Sequence, residues 1–435
     1  MEIRRQNDII AFRAPGELPV AFHARNLEVA DISEDLWNAI SNPEDSELQS
    51  ILNDWNSETN PAVTTHKLAQ EIRSLTINVT QICNLKCTYC AAGGDGTYGA
   101  AQTKISVEKT LPQLKYFLDK LPDTGTFRIG FIGGEPLLYP EGIRAISNYV
   151  KLMTAGRNLR AQFAIVTNGT LLSDANIELL KDINSNVSVS IDGAAEINDI
   201  SRPMKNGQGS TALVIEGLKK LFAVKSELGS ITLHGVFTAD NMNLVKAYEF
   251  YRQFPADTYE FTYSVSDLNQ KASDDFTRAM REVAAIAYAE GGESALRKIN
   301  FFNRVFSALD SQRRTENFCG AGKSLLVVDA RNNLFSCPWD VGNAAEKVGH
   351  GSEVSEAALE KYAQPLIEQN NCQSCWARFL CGGGCMFVHK EATGSKNQKN
   401  GQFCERQRTL METAILYFKK CRQTDIQKDS DYGKH

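Results

Sequence analysis

No stretch of this chain is apolar for the roughly 20 residues that a bilayer-spanning helix needs. A secretion signal is missing as well: Met1 to Asn7 is mostly polar, and the apolar run that follows is broken by Arg13, Pro15 and Glu17. There is no basic surplus. The formal charge is -5, so neither nucleic acid nor a membrane is an expected partner. Cysteine is absent from the whole span between positions 91 and 318, although the chain holds 11. An odd number without a secretion signal fits metal or redox work in a reducing cytosol better than a disulfide framework. The rest is ordinary: 435 residues, 42% hydrophobic and 23% charged, describe a soluble globular protein of two or three domains.

The cysteines fall in two places, three at 83–90 and eight between 319 and 421. The first group reads Cys83-Asn84-Leu85-Lys86-Cys87-Thr88-Tyr89-Cys90 and follows the strand-like run Leu75 to Val79. Three fixed cysteines coincide by accident in roughly 0.7% of chains with this cysteine frequency, so the spacing carries information. Three thiolates can hold three irons of a 4Fe-4S cube and leave the fourth iron open to a ligand, a vacancy that four-cysteine sites lack. Zinc is the competing occupant, but it wants a fourth Cys or His close by, and the nearest is His66, on the far side of the strand.

From about 74 to 290, short β-branched runs alternate with longer amphipathic ones, the signature of βα units and a parallel sheet. Candidate strands are Ser74 to Thr80, Phe127 to Ile132, Ala161 to Thr167, Val187 to Ile191, Ile231 to Phe237 and Tyr259 to Tyr263. Candidate helices are Val107 to Asp119, Pro140 to Met153, Asp174 to Lys181, Ser210 to Leu228, Leu244 to Gln253 and Asp274 to Glu290. Six units make an α/β fold, an incomplete version of the eightfold barrel, whose chemistry sits at the carboxyl ends of the strands. The unusual motifs fall there: the cysteine triplet, Gly133-Gly134-Glu135-Pro136, Thr167-Asn168-Gly169 and Ser190-Ile191-Asp192-Gly193, with Arg202 and a glycine-rich turn before Ser210, an expected helix cap.

That order of motifs resembles the radical S-adenosylmethionine enzymes over roughly residues 74 to 290. The resemblance implies a partial (β/α)6 TIM-type barrel whose site-differentiated 4Fe-4S cluster binds S-adenosylmethionine. Cys83, Cys87 and Cys90 would hold the cluster, and Tyr89 would lie against the adenine. Gly133, Gly134 and Glu135 would hold the methionine ammonium, Ser190 and Arg202 its carboxylate, and Thr167 and Asn168 the ribose.

The second group reads Cys372-x2-Cys375-x5-Cys381-x3-Cys385-x18-Cys404 with Cys319 and Cys337 upstream, and four cysteines at three fixed spacings already arise by chance in only roughly 0.02% of such chains. It is similar to the C-terminal SPASM iron-sulfur domain of peptide-modifying radical enzymes, expected over residues 319–410. The resemblance implies two auxiliary clusters, one on Cys372, Cys375, Cys381 and Cys404, the other on Cys319, Cys337 and Cys385 with its fourth ligand unassigned. Asn332 stands where that family often has glycine. Asparagine tolerates left-handed backbone better than most residues, so the turn is expected to survive.

Residues 1–70 are expected as a small α+β module. Ile9 to Phe12 and Val20 to Phe22 read as a hairpin around Pro15-Gly16, and Ser33 as the cap of a helix through Leu36 to Ile40. The module weakly resembles the winged-helix leader-recognition element of peptide maturases, and a plain cap on the barrel competes with that reading. Asn56 to Thr65 reads as a linker, 291–318 as a bridging region and 411–435 as a C-terminal helix and tail. The activity implied is hydrogen-atom abstraction from a ribosomally made precursor peptide to form a side-chain crosslink, C-C, C-O or thioether. The partners would be that peptide and an electron donor such as flavodoxin or ferredoxin. A sulfatase-maturating enzyme is the nearest alternative, but its base directly follows the cysteine matching Cys337, where Pro338 stands here. Asp340 nearby keeps it open. Peptide epimerisation and backbone excision also stay open, as does a non-catalytic electron-transfer or zinc scaffold. Asp267, past the sixth strand, and Asp340 are the candidate bases.

Overall fold

The expected hairpin is the middle of a four-stranded antiparallel meander made of β1 (Glu2–Gln6), β2 (Ile9–Arg13), β3 (Val20–His23) and β4 (Glu28–Asp31). The computed structural model describes residues 2–42, 46–57, 71–90 and 104–432. Ser33 caps helix Glu34–Ala39 by accepting from Leu36 N, and a second helix, Ser46–Ser57, follows. Asn56 and Ser57 therefore end a helix, and the rest of the expected linker lies outside the described residues. Period-two alternation gives the sheet two apolar faces. Ile9, Ala11 and Ala21 pack with Trp37 and Leu52 of the helices. Phe12 and Phe22 point the other way, against Trp376, with ring centroids 5.4 and 6.1 Å away. Arg378 Nη2 donates to Asp8 at 2.7 Å, and Arg5 Nη1 donates to Ser374 O at 2.7 Å.

Those contacts tie the N-terminal module to a segment distant in sequence. The chain forms two compact units, Met1–His66 with Ser273–Cys319 and Pro365–His435, and Lys67–Ala272 with Gly320–Gln364. The module expected at 1–70 shares its core with the cysteine segment around Trp376. The stretch expected as one domain, 319–410, is divided between the units. In the first unit, helix Gln270–Lys298 bends at Gly291 and Gly292. Helix Gly401–Tyr432 extends the expected C-terminal helix, and its Arg422 bridges Glu293 and Asp310.

In the second unit, β5 (Ser74–Thr80), β6 (Thr124–Gly133), β7 (Asn158–Thr167), β8 (Asn186–Ser190), β9 (Ser230–Phe237) and β10 (Thr258–Tyr263) pair in parallel, in sequence order. This is the six-stranded partial barrel, with one addition: β11 (Leu325–Val328) pairs in parallel with β5, and β12 (Asn333–Phe335), β13 (Lys347–His350) and β14 (Glu353–Val354) continue the sheet antiparallel. Register aligns one face of every strand, for example Leu75 with Ile129, Ile129 with Phe163, and Val187 with Ile231. That face is buried, and helix Pro140–Thr154 packs on β7. Each such side chain contributes about 1.5–3 kcal/mol on leaving water. Asn332 has φ +62°, so the left-handed turn is kept, and its Nδ2 donates to Thr110 Oγ1. Among the described residues no helix is long and apolar enough to cross a membrane.

Trp376→Ala removes a nearly buried indole wedged against Phe12 and Phe22. We expect a loss of about 3–5 kcal/mol in the unit that contains it, measured by urea unfolding.

Candidate active site

The other face of these strands mixes polar residues, Asn78 on β5, Ser190 on β8, His234 on β9 and Thr262 on β10, with apolar Ile132, Val166 and Val236. They leave a cavity of about 360 Å³ lined also by Cys83, Cys87, Tyr89, Cys90, Gly133, Gly134, Thr167, Asn168, Arg202, Ser264 and Trp339. Nearly every residue expected at the cofactor site therefore surrounds one space at the carboxyl ends of the strands. A larger groove of about 920 Å³, between Tyr116, Lys120 and Glu356, contains none of them.

Close approach explains the glycines. A Cβ on Gly134 would lie 2.2 Å from Ile82 O and one on Gly133 2.1 Å from Thr80 O, so only glycine lets β6 end against the cysteine loop. Glu135 is fully buried and accepts from Thr167 Oγ1 (2.8 Å), Asn168 N (2.7 Å) and Leu137 N (3.0 Å). Burial raises its pKa against these donors. Its carboxylate thus clamps the Gly-Gly-Glu-Pro and Thr-Asn-Gly turns together and does not line the cavity, unlike the two glycines beside it. Asn168 Nδ2 reaches Asn84 Oδ1 at 2.8 Å and Cys83 Sγ at 3.7 Å. Tyr89 does not present a free hydroxyl: its oxygen lies 2.8 and 2.9 Å from the two oxygens of Asp192 and accepts from Arg202 Nη1 at 2.6 Å. Asp192, with no exposure, is the residue that sequence reasoning left without a role, although it stands in a quoted motif.

Other expectations change. Asp267 does not line the cavity; its carboxylate accepts from Ala239 N and Asn269 N and so fixes two loops. Asp340 is 2% exposed and likewise does not line the cavity, although its neighbours Pro338 and Trp339 do. His234 was missed. Its Nε2 pairs with Thr262 Oγ1 at 2.9 Å, and burial, offset by Glu260 and Asp192 and aided by Arg202, lowers its pKa. A lone histidine at an inward position of β9 was the available signal. Ser210 does not cap the next helix with its side chain; Asp199 Oδ1 does, accepting from Thr211 N.

The donor set fits an iron-sulfur cluster. Three thiols from one loop line the cavity, and a cubane places each such thiolate on its own iron. Burial pushes the Cys87 thiol up to about 11 and raises Cys83, so these groups give up their protons readily only to a metal. Both side-chain atoms of Asn78 are buried without a partner, which leaves hydrogen-bonding capacity at the cavity for a ligand. In the other unit, Cys372, Cys375, Cys381 and Cys404 line one cavity of about 330 Å³ with Lys399 and Arg408. Cys381 is pushed up to about 12 by burial and by its neighbouring thiols. Cys385 sits instead at the start of helix Met386–Thr393.

Residues 77–250 match the family model of the radical SAM superfamily. The chain carries a radical SAM domain. The uncharacterized protein MJ0907 of Methanocaldococcus jannaschii is 36% identical over 156 residues, 36% of this chain and 49% of that protein, so the match spans about half of that relative's length. The cysteine-type anaerobic sulfatase-maturating enzyme of Clostridium novyi is 23% identical over 81% of this chain and 96% of its own. The mycofactocin maturase MftC of Mycobacterium ulcerans is 26% identical over 72% of this chain and 82% of its own. Among solved structures, native anSMEcpe with bound AdoMet superposes with a TM-score of 0.66 at 19% identity, over 80% of this chain and 98% of that one. Streptococcus suis SuiB bound to precursor peptide SuiA gives 0.54 at 13%, over 92% and 100%. These likenesses establish the fold, a radical SAM barrel within an α/β chain.

Two outcomes are expected. Gly134→Ala forces β6 away from Ile82, and S-adenosylmethionine binding, measured by equilibrium dialysis on reconstituted protein, falls at least about tenfold. In iron-free protein, Cys87 and Cys381 ionise near 11 and 12, so alkylation by iodoacetamide at pH 8 is slow and rises with pH through 10, read site by site by mass spectrometry.

Proposed function

We propose that the protein is a cytosolic radical S-adenosylmethionine maturase that oxidises a side chain of a ribosomally made peptide to form a crosslink. One observation carries this reading: three cysteines on one loop, at the rim of a cavity lined by the other motif residues. Cys83, Cys87 and Cys90 would hold the cluster. Backbone groups of Gly133 and Gly134 would receive the cofactor's ammonium, Ser190 and Arg202 its carboxylate, and Thr167 and Asn168 its ribose. When bound, the cluster and S-adenosylmethionine supply a 5'-deoxyadenosyl radical that takes a hydrogen atom from carbon. The chain's own part is to exclude water and hold one C-H bond in reach. Ile132, Val166, Val236 and Trp339 make the apolar walls for that task.

Forming a bond after hydrogen abstraction releases one electron and one proton. His234 lines the cavity, its pKa lowered by burial, and would take the proton. Cys372, Cys375, Cys381 and Cys404, which line one cavity, would hold an auxiliary cluster able to take the electron. A small electron-transfer protein such as flavodoxin or ferredoxin would deliver the reducing electron. The peptide substrate is supported by the maturases among the relatives and by β1, which among the described residues pairs with β2 alone and so offers an edge to an extended segment.

The test is co-expression with each short reading frame next to the gene, under anaerobic conditions. The expected product is a peptide lighter by two hydrogen atoms, absent with Cys83→Ala. In reconstituted protein, Cys83→Ala abolishes 5'-deoxyadenosine formation, while Cys375→Ala retains part of it and makes no product. A product carrying formylglycine would favour the sulfatase-maturating alternative.

A further inference from the structure

The loop that bears the three cysteines is not held by its cysteines alone. Residues 84–88 run antiparallel to 201–205: Lys86 N donates to Pro203 O at 2.8 Å, Thr88 N to Ser201 O at 2.9 Å, Lys205 N to Asn84 O at 3.2 Å, and Leu85 forms a bridge with Met204. The second segment is fixed in turn by Asp192. Its carboxylate accepts from Ser201 Oγ (2.6 Å), from Val236 N of β9 (3.1 Å) and from Tyr89, which also receives Arg202. Asn198 Oδ1 accepts from Asp192 N, and Ser210 Oγ donates to Arg202 O, so the segment is tied at both ends. Asp192 has no exposure and Arg202 7%, so the carboxylate and guanidinium face each other through the Tyr89 hydroxyl away from water. A buried charge that lost this company would be costly, which makes the arrangement all-or-none.

We propose that Asp192 is a positioning residue for the iron site: together with segment 201–205 it splints loop 84–90 into its cysteine-presenting shape before any iron is bound. The splint also aims Tyr89 and Arg202 at the cavity in one step, so cluster insertion and cofactor binding meet a preformed rim. This rests on the reading that Cys83, Cys87 and Cys90 hold a cluster, but its physical content is a property of the iron-free chain.

Hydrogen exchange on the iron-free full-length protein tests it. The amides of Lys86 and Thr88 exchange at least about tenfold more slowly than an unstructured peptide, and Asp192→Asn removes that protection while β5 to β10 stay protected. Tyr89→Phe, which deletes only the hydroxyl, weakens protection at the same two amides and serves if Asp192→Asn unfolds. In reconstituted Asp192→Asn protein the dissociation constant for S-adenosylmethionine rises about tenfold and the reduced N-terminal cluster loses its EPR response to the cofactor, while the C-terminal cysteines keep their iron. Free exchange at Lys86 and Thr88 in the wild type, or full protection in both variants, overturns the splint. Zinc in place of iron in the wild type would instead sink the functional reading, and the exchange result would still stand or fall by itself.

Discussion

Alternation along six parallel strands is the constraint on which the rest depends. Leu75, Phe131, Ile165, Val187 and Leu233 fill the buried face, so the opposite face has only to line a space. Small and polar residues there, Ser190, Thr262 and Asn78, stand between the branched Ile132, Val166 and Val236 and keep that space open where a complete eightfold barrel would be packed throughout. A sheet left open in this way has a chamber beneath its loops, and the loops at the carboxyl rim bring the thiols, the glycines and Arg202 around its mouth.

The loops are held to one another as firmly as the strands. Glu135 joins the second and third rim turns, and Asp192 joins the fourth strand end to the cysteine loop. Both are acidic residues with no exposure and several donors each. Free carboxylates would be costly there; satisfied ones fix a single arrangement. Rigidity of this kind suits chemistry in which a radical attacks whatever C-H bond lies nearest.

Much of this was legible in the sequence, for physical reasons. Strand β5 and helix Val107–Asp119 fall where periodicity put them, because the apolar spacing is clear in both, even across Pro112. The cysteine spacing and the Gly-Gly turn are local, so they could be read directly. Pairing between distant segments could not. Nothing in Leu325 to Val328 announces that it lies beside β5, and nothing in Trp376 announces Phe12 and Phe22. Acidic residues were the hardest to assign, since a carboxylate in a loop looks alike whether it caps a turn, as Asp267 does, or locks a site, as Asp192 does. His234 was hidden for the same reason: its meaning comes from the face of the strand it occupies and the cavity beyond.

The proposed chemistry needs one iron at the Cys83, Cys87 and Cys90 site to have no protein ligand. Mössbauer spectroscopy tests this on anaerobically reconstituted protein in which Cys319, Cys337, Cys372, Cys375, Cys381, Cys385 and Cys404 have been replaced, so that only the N-terminal cysteines can hold iron. The expected spectrum is that of a 4Fe-4S cluster in which a single iron changes its isomer shift when S-adenosylmethionine is added. Four irons that respond identically, or a site that takes up zinc and no sulfide, would contradict it.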